Sequence, residues 1–190
     1  NTDRKTADEE KRTRLMETVF GKEHAAELIP LFKKAYPEHP LCDLVRLDHF
    51  FRPGTQKYVR LRSTLNDCTW SYLFDHEMPI DGGSTPWHCA DIPYVFHNTQ
   101  FVPSTQEDCT RELECLIFDS VMAFARTGDP GHDGLPAWPA STPETEQTML
   151  FNTKPVLRPN HDRELMPLFE KYMKPVFEAN REQITEKAQH

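Results

Sequence analysis

The run from Ser104 to Pro130 constrains this chain more than any other segment. Leu113, Leu116, Ile117, Val121 and Phe124 recur at helical spacing over three turns, so one face of a single helix has to be buried. Ser104-x-x-Glu107 ahead of it has the form of a capping box, Gly128 suits a C-cap and Pro130 a stop. A helix of that length needs other elements against its apolar face. Thr69 to Phe74 sets Trp70, Tyr72 and Phe74 against Ser71 and Leu73, the alternation of an aromatic-rich strand. Thr148 to Phe151 reads as a second, short strand after a proline-rich loop holding Trp138. The pattern is α/β, mainly helical with a few strands.

The flanks are helical. Thr6-x-x-Glu9 predicts a capped helix over 6–20 with Leu15, Met16, Val19 and Phe20 as its stripe, ended by Gly21. A second helix is expected from Glu23 to Tyr36, with Ala26, Ile29 and Phe32 inward and a kink at Pro30. A third is expected from Leu41 to Phe51, interrupted by Arg52-Pro53-Gly54 and resumed from Gln56 to Leu65. After residue 156, His161–Tyr172 and Pro175–Lys187 read as two helices with Leu165, Leu168, Phe169, Val176 and Phe177 as apolar faces. The expected organisation is one region over 1–190: helices in 1–66, strands and the central helix in 67–155, terminal helices in 156–190.

Composition narrows the function. A 190-residue chain with 12 Phe and 37% hydrophobic residues can bury a real core. A net charge of −8 argues against a nucleic-acid partner, which requires clustered Lys and Arg. No apolar run approaches the roughly 20 residues of a membrane span, and the charged residues 1–14 do not read as a signal peptide. Cys42, Cys68, Cys89, Cys109 and Cys115 are odd in number and form no CxxC pair, which argues against a disulfide framework or zinc knuckle. A reducing compartment, the cytoplasm, fits best. Nine histidines include no HxxxH or HxH spacing, so no metal site is expected.

Chemistry converges on Trp87–Phe96. Ile92 to Phe96 is apolar and aromatic, and His88 precedes it on the loop that follows Gly82-Gly83-Ser84-Thr85-Pro86. A histidine there can exchange protons near neutrality, its unperturbed pKa being about 6.5. Strand, loop, histidine is also the order in which an α/β sheet presents a catalytic group beyond a strand's carboxyl end. The alternative is an ordinary solvated loop histidine. A Cys89–His88 dyad is disfavoured, because adjacent residues seldom aim side chains at each other.

His88-Cys-Ala-Asp91-Ile92-Pro93-Tyr94-Val95-Phe96 resembles the catalytic-histidine segment of the type-B carboxylesterase and cholinesterase family. There the order is His, two variable residues, an acid, Leu or Ile, any residue, an aromatic, an aliphatic and Phe. Phe124-Ala-Arg-Thr-Gly-Asp-Pro130, Trp138-Pro-Ala140 and Thr148–Phe151 resemble the family's last core helix and final strand, and Asp43–Pro53 the helix before the histidine loop. The likeness spans roughly residues 10–155. It implies the C-terminal part of an α/β-hydrolase that needs no cofactor, with His88 as catalytic base and Asp91 structural. Phe50 and Phe51 would lie beside the acyl or alcohol pocket, although Phe more often belongs to a core.

The rest of the chemistry is missing. With seven glycines, the chain has neither a Gly-x-Ser-x-Gly elbow nor a glycine-rich oxyanion loop. Only His88 matches a triad position. The resemblance therefore implies an inactive chain on its own, pairing with a missing N-terminal half or with itself, and a parent acting on small-molecule esters. A non-catalytic, cholinesterase-like binding module is the alternative.

Overall fold

The structure is a computed structural model that describes residues 4, 6–80, 82–107 and 109–188, with 177–188 as backbone alone. In chain order the helices are α1 (Glu9–Phe20), α2 (Lys22–Ala35), α3 (Arg52–Ser63), α4 (Ile92–Val95), α5 (Thr110–Thr127) and α6 (Leu165–Ala188). The strands are β1 (Ser71–Phe74), β2 (Gln147–Phe151) and β3 (Val156–Pro159). Two compact units divide the chain: residues 1–56 with 162–190, and residues 57–161.

The first unit is helical. The cap of α1 is Asp8, whose side chain accepts the Lys11 N–H at 2.7 Å, rather than Thr6. Gly21 ends α1 at φ +82°. On α2 the buried stripe is Ala25, Leu28, Phe32 and Ala35, one residue out of step with the expected Ala26 and Ile29. Ala26 and Pro30 share the exposed face, so the proline ring sits where water, not a neighbour, covers the interrupted ladder. The expected helix at Leu41–Phe51 is a 3₁₀ segment, Leu41–Arg46, followed by a turn. There Asp48 Oδ1 accepts both the Phe50 and Phe51 N–H groups at 2.9 Å, and α3 starts directly after them. Arg52-Pro53-Gly54 therefore opens a helix instead of interrupting one, because proline suits a first turn.

Two buried carboxylates tie this unit together. Asp162 accepts from Arg52 (2.7 and 3.1 Å), Gln56 (2.6 Å) and Tyr36 (3.0 Å). Arg4 clasps Asp43 through two 2.8 Å bonds. Burial opposes the charge on Asp43, but hydrogen bonds from His39 and Arg4 outweigh it and hold the carboxyl below its ordinary range. The two predicted terminal helices are one: α6 runs through Pro175, with Leu165, Met166 and Phe169 buried. The side chain of Phe177 lies outside the described residues.

The second unit holds the sheet, in the order β1-β2-β3. β1 and β2 are parallel, Ser71 opposite Thr148 through Phe74 opposite Phe151, and β3 is antiparallel to β2. The sequence pattern missed β3, whose side chains are half-buried or exposed. It covers one side of β2, while the second edge of β1 is unpaired among the described residues. Phe74, Met78, Tyr94, Leu113, Ile117, Trp138, Met149 and Phe151 form the core; of the expected α5 stripe Leu113 and Ile117 are buried in it, Leu116 and Val121 are half-buried and Phe124 is exposed. Gly128 caps α5 in the left-handed region at φ +80°, its N–H on Phe124 O at 2.8 Å. The other end differs from expectation. Pro103–Thr105 forms a 3₁₀ turn, and α5 begins only at Thr110 with Cys109 as its N-cap, so Ser104 and Glu107 precede the helix and the capping box does not form.

Candidate active site

The route from β1 to His88 is short and braced. Asp75 N–H extends the strand ladder to Phe151 O at 2.8 Å. Met78 and Ser84 then form an antiparallel bridge (2.8 and 3.0 Å) that pinches the loop above the fully buried Met78. His88 follows, exposed, on a turn closed by Ala90 N–H to Trp87 O (3.0 Å) and Ile92 N–H to Cys89 O (3.2 Å). Cys89 holds the left-handed conformation, φ +68°. That geometry is uncommon for a side chain with a Cβ, and it turns the chain sharply beside His88.

What keeps the turn in place lies beneath and beside it. Ala90 and Tyr94 are buried and join the core of the unit. Asp91 Oδ2 accepts the Tyr72 hydroxyl at 2.7 Å, linking the turn to β1. Burial, followed by the Asp91 charge, raises the Tyr72 hydroxyl well above its ordinary range, so at neutral pH it carries its proton and donates. Asp91 is thus engaged with Tyr72 and anchors the turn. His88 is presented by a rigid base.

A second histidine sits at the same end of the sheet. His76 is buried, two residues past β1, with Nε2 3.0 Å from Glu107 Oε2. Cys109 Sγ lies 3.7 Å from the same oxygen, and Asn152 and Thr153, just past β2, complete an open polar cleft of about 540 Å³. Sequence reading assigned Glu107 to a cap and made nothing of His76 or Cys109. Their separation of about thirty residues carries no motif, and only the fold brings them together.

Ser120 and His132 also form a pair, with Oγ and Nε2 3.2 Å apart. It cannot serve as nucleophile and base. His132 Nδ1 accepts the Gly134 N–H at 3.2 Å, so Nε2 carries the ring proton, and it lies 3.1 Å from Leu116 O. Ser120 donates to that same carbonyl at 2.8 Å. The pair fastens the 129–135 loop to α5.

Phe50 and Phe51 are 61% and 57% exposed, so neither is the core aromatic that the general rule favours. They lie in the first unit and His88 in the second. In the second unit Trp70, Tyr72, Ile117, Phe124 and Trp138 line an apolar groove of about 220 Å³. All five cysteines are free thiols, and no helix among the described residues is long and apolar enough to cross a membrane.

A parallel strand pair with a helix packed on it, and a turn beyond the strand carrying a histidine, fit part of an α/β-hydrolase. Residues 31–167 match the carboxylesterase family, and the chain belongs to that family. Phenmedipham hydrolase of Pseudarthrobacter oxydans is 31% identical over 99 residues, 48% of this chain and 20% of that protein. An esterase from the anaerobe Clostridium hathewayi, described as able to hydrolyse aliphatic aromatic polyesters, superposes with a TM-score of 0.84 and 38% identity. That match covers 90% of this chain and 34% of the esterase. A PNB esterase shares the fold at 22% identity and a TM-score of 0.55, over 89% of this chain and 34% of its own. The chain thus spans about a third of the length of these solved relatives and a fifth of the curated one.

Proposed function

We propose that this chain is the C-terminal part of a serine carboxylic-ester hydrolase and supplies its general base, His88. The nucleophilic serine, the acid that orients the imidazole and the oxyanion donors come from sequence outside these 190 residues. In the reaction His88 takes the serine proton as the hydroxyl attacks the ester carbonyl, then gives it to the departing alcohol; water repeats the cycle on the acyl-enzyme. The supporting observation is the braced turn: an exposed imidazole at the end of the loop that follows β1, inside the matched family segment, on a backbone held by Ala90, Tyr94 and the Tyr72–Asp91 bond. A general base has to be held in place to be effective.

The substrates are neutral esters with an apolar acyl or alcohol part. Hydrolysis of aliphatic aromatic polyesters, named for the Clostridium hathewayi esterase, is the first polymer substrate to try. Exposed Phe50 and Phe51 are the candidate apolar contacts. The open edge of β1 is where the remaining part of the enzyme pairs, or failing that a second copy, since an unpaired strand edge templates further pairing. Assay of the chain alone and of the full-length parent on p-nitrophenyl esters tests the reading. The chain alone should not exceed background, because loss of a triad nucleophile costs on the order of 10⁶ in rate. Activity in the isolated chain that a serine-directed phosphonate abolishes would overturn it.

A further inference from the structure

His76, Glu107 and Cys109 place three different donor types in one cleft. His76 comes from the end of β1, and Glu107 and Cys109 from the entry to α5. The donor atoms all lie within 4.8 Å of one another, with His76 Nε2–Glu107 Oε2 at 3.0 Å and Glu107 Oε2–Cys109 Sγ at 3.7 Å. A tetrahedral zinc ion with ordinary N, O and S bond lengths separates its ligands by about 3.4–3.6 Å. The His76–Glu107 and Glu107–Cys109 separations straddle that value, and the third lies within 4.8 Å, so modest side-chain shifts would seat an ion.

We propose that His76 Nε2, a Glu107 carboxylate oxygen and Cys109 Sγ form a three-ligand site for a zinc-class divalent cation, with water from the open cleft as the fourth ligand. Nitrogen and sulfur donors select zinc or cobalt over magnesium and calcium, which require oxygen cages. Binding releases the Cys109 thiol proton to solvent, and His76 coordinates as a neutral imidazole through an unprotonated Nε2. His76 Nδ1 is buried without a hydrogen-bond partner. The site therefore lacks the outer acceptor that anchors tight zinc histidines, and its affinity is set about 10–100-fold below theirs. The ion would link the end of β1 to the start of α5, the two elements that frame the cleft beyond the parallel strands. The inference is independent of the role proposed for His88.

Cobalt(II) titration of the chelator-treated, 190-residue chain tests it. One equivalent should produce tetrahedral d–d absorption with a thiolate-to-cobalt band, and zinc should bleach both. C109S should lose the thiolate band, and E107Q should bind at least tenfold more weakly, with circular dichroism unchanged in each. A measurement without variants runs in parallel: zinc should slow alkylation of Cys109 at least tenfold, read by peptide mass mapping, while exposed Cys68 and Cys89 react as before. Absence of the thiolate band in the wild-type chain, its persistence in C109S, or equal alkylation of Cys109 with and without zinc would each overturn the proposal.

Discussion

Two histidines flank the same loop and have opposite environments. His76, at the start, is buried, with one ring nitrogen on Glu107. His88, at the end, is exposed on a tight turn whose backbone and neighbours are fixed. A catalytic imidazole has to meet a partner, so it is presented outward from a rigid base. A buried imidazole whose partner already touches it binds two elements together. The contrast teaches that eleven residues of loop separate an exposed imidazole, the proposed general base, from a buried and partnered one, and that burial of the ring tells them apart.

Substitution separates the two. In the full-length parent, His88→Gln should lower kcat by up to about 10⁶, as for loss of a serine hydrolase's base, while the melting temperature stays within the noise of the wild type. Steady-state kinetics and a thermal melt check both halves. The reverse is expected at the other histidine. His76→Ala, measured with a chelator present, should destabilise the chain by about 1 kcal/mol or more through the lost hydrogen bond and the space left by a buried ring, read from the urea midpoint. It should reduce kcat far less than His88→Gln does. Equal loss of rate in the two variants would erase the distinction.

Smaller effects sharpen it. Cys89→Gly should stabilise the chain by up to about 1 kcal/mol if relief of the left-handed backbone dominates, and less where the added freedom of the unfolded chain offsets it. A fall in catalytic rate with that gain would show that the turn's stiffness serves His88. Acid provides a control that substitutes neither histidine. Burial opposes charge on Glu114, but the Thr99 N–H and hydroxyl, with His97 and Arg111, hold its carboxyl below the ordinary carboxylate range. A depressed folded pKa stabilises the native state fully above the unfolded value, and the contribution disappears as pH falls through the folded one. Asp43 behaves alike. Urea midpoints should therefore stay level in the upper carboxylate range and drop below about pH 4, and Glu114→Gln should flatten part of that drop.

Much of this was legible in the sequence, for reasons that differ by element. Helical periodicity placed α5 because Leu113 and Ile117 face the core, although Phe124 at the end of the stripe is exposed, and Gly128 marked its end by taking the left-handed cap. β1 and β2 were legible as aromatic and apolar runs. β3 was not, because an edge strand that buries little carries no alternation. The α2 stripe was misjudged by one position, since Ala25 and Ala26 are equivalent to periodicity and only Pro30's exposed face separates them. At the site, His88 stood out because its neighbours follow one another in sequence. The His76–Glu107–Cys109 cluster depends on a long-range approach that no local spacing encodes.

The most direct measurement is a crystal structure of the full-length parent inhibited by a serine-directed phosphonate. The account predicts His88 Nε2 at hydrogen-bonding distance, about 2.6–3.2 Å, from the modified serine oxygen, with the Tyr72–Asp91 bond intact beneath it. A different histidine in that place, or His88 still facing solvent, would contradict it.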